Sequence, residues 1–112
     1  ATFELVQLHD RNGTLFLNLA GSDGRRLSVS FDSYLVYRKM DEGDALVILE
    51  DIKKAGGTTN LFYRVENSEF VVWFNRQSFN TRMEQPVVHF IIATVNDVVE
   101  VIALDEPAIN IE

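Results

Sequence analysis

Residues Val87 to Ala103 read VVHFIIATVNDVVEVIA, and this stretch decides what kind of molecule the chain can build. Val87 to Thr94 is apolar on both of its alternating faces, the signature of a central strand covered on two sides. Asn96-Asp97 is a turn signal, and Val98 to Ala103 is a second β-rich run, so the segment predicts an antiparallel hairpin. With Asn96 and Asp97 as a two-residue loop, one face pairs Thr94 with Val99, Ile92 with Val101 and Phe90 with Ala103. The other pairs Ala93 with Glu100, Ile91 with Ile102 and His89 with Leu104. His89 and Glu100 then share a face, but about four residues apart. At about 3.4 Å per residue that is too far for contact.

The opening of the chain predicts another hairpin. Thr2 to His9 and Thr14 to Ala20 flank Asn12-Gly13, the strongest short hairpin turn. Counting outward sets Leu8 opposite Leu17, Val6 opposite Leu19, His9 opposite Phe16 and Gln7 opposite Asn18. After the turn at 21–24, Leu27, Val29 and Phe31 alternate with polar residues as a third strand. Leu61 to Glu66 reads as another strand, with Leu61, Tyr63 and Val65 on one side.

Helical patterns lie between the hairpins. Asp32 can cap a short helix through Met40. From Asp44, the residues Ala45, Ile48, Leu49 and Ile52 form one apolar stripe, and Gly56-Gly57 supplies a stop. A rival reading makes Tyr34–Lys39 and Leu46–Ile52 the strands of a hairpin; the stripe and the stop favour helix. Ser68 can cap a helix whose Phe70, Trp73, Phe74 and Gln77 share a face; the same letters also suit a hairpin strand, and the polar run Asn75 to Ser78, without a turn residue, favours helix. Residues 78–85 read as a polar loop, and Asp105-Glu106-Pro107 as a tail leaving the sheet. The expectation is one compact domain over residues 1–112. Its class is α+β, an antiparallel sheet of about six strands with two or three helices on one face; all-β is the alternative.

Composition narrows function mainly by exclusion. The chain has no cysteine, which excludes disulfides and thiolate metal sites and favours a cytoplasmic setting. There is no phosphate-binding glycine loop, no nucleophile elbow and no histidine pair spaced for metal. No metal or other cofactor is expected. The net charge is −7, and residues 83–112 hold six acids and no Lys or Arg, whereas residues 1–82 hold eleven acids and ten bases. That balance argues against a nucleic-acid partner, and no apolar run is long enough for a membrane span. Size, acidity and the cysteine-free α+β pattern are similar to those of immunity proteins that neutralise bacterial toxins, a likeness of composition that covers no motif.

The leading expectation is therefore a non-enzymatic acidic interaction module for a basic protein, an immunity-like inhibitor among the forms it could take. Trp73, Asn75, Arg76, Arg82, Asp105 and Glu106 are the binding candidates, because Trp and Arg dominate binding surfaces and the acids concentrate late in the chain. An alternative is a small ligand-binding domain or enzyme with a pocket between sheet and helices, where His89, Tyr63 and Arg64 are first suspects. A third is a homo-oligomeric subunit, a homodimer in its simplest form. Ser68, His89 and Asp97 supply the residue types of a hydrolase triad, but Ser68 has a simpler role as a helix cap and Asp97 as a turn residue.

Overall fold

The computed structural model describes residues 2–57 and 61–112. They form an α+β fold of two helices and two four-stranded antiparallel sheets. The first sheet contains β1 (Phe3–Arg11), β2 (Thr14–Gly21), β3 (Arg26–Phe31) and β8 (Ala108–Ile111), in that order. The second contains β4 (Tyr34–Asp41), β5 (Phe62–Val65), β6 (Val88–Ala93) and β7 (Asp97–Ala103), ordered β4-β7-β6-β5. Helix α1 spans Leu46–Lys54 and helix α2 spans Glu69–Gln77. The expected single sheet of about six strands is thus corrected to two sheets, and the alternative all-β class is excluded by the helices.

The two sheets pack face to face. Leu15, Leu17, Leu19, Leu27, Val29 and Phe31 of the first meet Phe90, Ile92, Val99, Val101 and Ala103 of the second in one core. The second sheet also buries its other face. Ile91 and Val98, with Met40, Tyr63 and Val65, pack against Ile48, Leu49 and Ile52 of α1. Phe70 of α2 meets His89 edge-on at 5.3 Å between ring centroids. This double covering is why β6 and β7 lack alternation: every residue of theirs finds a layer above or below.

Local chemistry explains most of the elements. Asn12 and Gly13 both take positive φ, 53° and 83°, as a two-residue turn of matching twist requires. The pairings Leu8–Leu17, His9–Phe16 and Gln7–Asn18 follow from it. Beyond Gln7 a bulge intervenes, so Leu5, not Val6, faces Leu19. Leu5 is buried as a result and Val6 is exposed. Gly56, with φ of 89°, ends α1 as the glycine pair predicts. Ser68 caps α2, its side chain accepting from the Val71 N–H at 3.1 Å.

Three readings are corrected by the sheet. Residues 34–41 form β4 and not a helix, because pairing with β7 satisfies their backbone. Residues 108–111 return as β8 on the edge of the first sheet, where Asp105-Glu106-Pro107 predicts a tail that leaves it. The β6–β7 register shifts by two residues: Ile91 faces Glu100, and His89 faces Ile102. The loop is four residues, Thr94 to Asp97, closed by a Thr94 N–H to Asp97 carbonyl bond of 2.9 Å and by the Thr94 hydroxyl accepting from the Asp97 N–H. An even shift keeps every side chain on its face while sliding Glu100 along the strand.

Candidate functional site

The outer face of the second sheet carries a line of polar side chains through otherwise apolar surroundings. Glu100 sits on β7, directly between Arg38 of β4 and Ile91 of β6. The two-residue shift brings it beside His89, whose Nε2 lies 2.9 Å from Glu100 Oε1. On the other side of the ring, His89 Nδ1 lies 2.7 Å from Ser68 Oγ at the start of α2. Arg38 Nε bonds the remaining oxygen of Glu100. The four residues form one continuous chain from the helix cap to the half-exposed Arg38 guanidinium, while Ser68, His89 and Glu100 are buried.

The directions of these bonds follow from what each group can donate. An ionised carboxylate only accepts, so His89 Nε2 carries the proton it gives to Glu100. With the imidazole neutral, Nδ1 is an acceptor and the Ser68 hydroxyl donates to it. Ser68 Oγ keeps a lone pair for the Val71 N–H. Burial opposes ionisation of Glu100 and is the largest single influence on it. The hydrogen bonds from His89 and Arg38 and the Arg38 charge together outweigh it and hold the carboxyl below its ordinary pKa. The Arg38 guanidinium lies over the Phe70 ring at 3.9 Å, closing the chain under α2.

This chain forms part of the wall of a cleft of about 870 Å³ between α1 and α2. Tyr63, Arg64 and His89, named from the sequence as pocket residues, all line it. They come from neighbouring strands: Tyr63 and Arg64 from β5, His89 from β6. Val47, Ile48, Asp51 and Ile52 of α1 form one bank, and Glu66, Glu69 and Phe70 lie at the approach to α2. Asp51, Glu66 and Glu69 are exposed and make no ion pair among the described residues.

The sequence-named binding candidates do not gather at one place. Trp73 is partly exposed on α2 and stacks on Phe70 at 5.7 Å; Asn75 and Arg76 follow on the same helix. Arg82 lies in the loop after α2 and bonds Gln85. Asp105 and Glu106 precede β8, and Glu106 bonds Arg64 at 3.2 Å. Three of the six acids of the last quarter are answered from within the chain, since Asp97 also pairs with Lys39 at 3.0 Å and Glu100 with Arg38. Ser68 and His89 of the triad residue types do meet, but with Glu100 as the acid; Asp97 closes the β6–β7 loop.

Sequence reasoning missed Arg38, Glu100 and Phe70 as members of this site. One signal was present: Glu100 is the single charge inside the apolar run Val98 to Ala103, on a strand buried on both faces. Such a position is costly without partners, so partners must converge on it. Among the described residues, no group of three His, Asp or Glu side chains is placed to hold a metal ion. Among the described residues, no helix is long and apolar enough to cross a membrane. Comparison with protein-family models, with curated proteins and with solved structures finds no match for this chain.

Proposed function

We propose that this chain is a protein-binding domain whose receptor surface is the cleft between α1 and α2, and that its partner presents a basic, partly apolar segment. The observation that carries the reading is the set of exposed carboxylates on the cleft wall, Asp51, Glu66 and Glu69, unpaired among the described residues. Three acids of the last quarter, Asp97, Glu100 and Glu106, already hold Lys39, Arg38 and Arg64, whereas Asp51, Glu66 and Glu69 line the cleft and are open to a partner. The same layer exposes Leu46, Val47, Val72 and Trp73. Apolar side chains beside unmatched charge suit an amphipathic basic segment, with the charges setting encounter rate and register.

The test is a titration of the isotope-labelled chain with an amphipathic Lys/Leu peptide and with its Glu/Leu counterpart. The basic peptide should shift resonances of α1, β5 and α2, and its affinity should fall as salt rises. The double variant Asp51→Lys/Glu69→Lys should weaken it by roughly tenfold or more. Equal binding of the acidic counterpart, or shifts confined to the first sheet, would overturn the reading. A small-ligand domain draws on the same cleft, because Tyr63, Arg64 and His89 line it together. Native mass spectrometry separates the two readings through a retained low-mass species.

A further inference from the structure

We propose that Ser68, His89 and Glu100 constitute an acyl-transfer site, with Ser68 Oγ the nucleophile toward a carboxylic ester entering the cleft. The inference goes beyond the binding reading and stands independently of it. It rests on three facts. Ser68 Oγ is 2.7 Å from His89 Nδ1 and the opposite ring nitrogen is 2.9 Å from Glu100 Oε1, so nucleophile, base and orienting acid are connected through one imidazole. Both Ser68 and His89 line the cleft. Ser68 is also the N-cap of α2, so the N–H groups of Glu69 and Phe70 stand beside it with no acceptor inside the helix.

The chemistry balances without a cofactor. As Ser68 Oγ bonds the ester carbonyl carbon, its proton passes to His89 Nδ1. The carbonyl oxygen becomes an oxyanion beside the N–H groups of Glu69 and Phe70, at the positive end of α2. The bond to the leaving oxygen breaks, and that oxygen takes the proton from Nδ1 and departs as an alcohol. Water then attacks the acyl-Ser68 carbon and gives its proton to Nδ1. The bond to Oγ breaks, Oγ recovers the proton, and a carboxylic acid leaves. The net reaction is ester plus water to acid plus alcohol. Glu100 is a positioning residue: it holds His89 in the tautomer that leaves Nδ1 free to accept, and balances the imidazolium that forms. Arg38 in turn fixes Glu100.

The experiment treats the full chain with a serine-directed fluorophosphonate and maps the adduct by mass spectrometry, alongside hydrolysis of p-nitrophenyl acetate. The expected result is a single adduct on Ser68. Ser68→Asn, which keeps a capping oxygen, should show no adduct and no ester turnover above the unfolded chain. His89→Gln should label roughly 100-fold more slowly or worse. Glu100→Gln should also slow labelling, and Glu100→Asp should restore part of the rate. Failure of the wild-type chain to label at Ser68, or ester turnover unchanged in Ser68→Asn, would overturn the proposal. The wild-type adduct map decides the matter even where a variant fails to fold.

Discussion

Arg38 and Glu100 face each other directly across the β4–β7 ladder, yet one is half in solvent and the other almost wholly out of it: their side chains are 46% and 2% exposed. The pair carries a charge balance from the surface to the middle of the sheet. Glu100→Ala leaves the His89 Nε2–H buried without its acceptor, and should cost about 3 kcal/mol. Arg38→Ala leaves His89 still bonded to Glu100 and admits water to the carboxylate, so it should cost less, about 1–2 kcal/mol. Urea unfolding at neutral pH gives both numbers. A larger loss for Arg38→Ala than for Glu100→Ala would overturn this ordering and show that water does not replace Arg38 at the carboxylate.

Acid should act through the same carboxylate. Glu100 is held below its ordinary pKa in the folded chain, so the unfolded chain binds a proton there more readily. Its stabilising contribution is complete above the unfolded value and is lost as pH falls through the folded one. Wild-type stability should therefore drop below about pH 4.5 more steeply than that of Glu100→Gln, which has no proton to take up at this position. Urea midpoints of the two chains across this range make the comparison; parallel curves would refute the coupling.

Tyr34 should report at the alkaline end. Its hydroxyl donates to the Asp10 carboxylate, and this bond, with lesser help from desolvation and the Asp10 charge, pushes its pKa up to about 12. Because the folded value is raised, the contribution is present below the ordinary value of 10.0 and disappears as pH rises through about 12. In an ultraviolet titration, Tyr34 should ionise late. Asp10→Asn should bring that transition down by about a unit or more, having removed the negative charge.

Asn96 ties the β6–β7 loop to the bulge in β1. Its Oδ1 accepts from the Leu5 N–H at 2.9 Å and from the Thr94 hydroxyl at 2.9 Å, and its Nδ2 donates to the Leu5 carbonyl at 3.2 Å. The side chain serves Leu5 as a strand partner would. Asn96→Ala should cost about 2 kcal/mol and speed exchange of the Leu5 amide selectively. Unchanged protection at Leu5 would contradict this role.

What could be read in advance divides according to range. The Asn12-Gly13 turn, the Ser68 cap and the Gly56 stop depend on groups a few residues apart, and each stands where the residues placed it. The strand at 34–41 was hidden because its Tyr and Val residues satisfy either period until β7 supplies a ladder. The β8 segment was hidden because four exposed residues carry little pattern. In the candidate site, His89, Tyr63 and Arg64 could be named from residue type and strand position. Glu100 lies beside His89 and not four residues away, because Thr94 closes a four-residue loop in place of the two-residue turn that Asn96-Asp97 predicts.

The order of residues alone determined an α+β chain without thiol chemistry, with its Asn12-Gly13 turn, the stop of α1, the cap of α2 and the face each β6 and β7 side chain occupies. Those properties come from backbone conformational preference and an alternation of period two, which are local. Tertiary structure decided that the strands divide into two sheets, that Glu100 slides beside His89, and that Ser68 reaches the imidazole from another layer. Each depends on pairing between distant segments, where loop geometry and the need to satisfy buried polar groups choose among registers that hydrophobic pattern leaves equal.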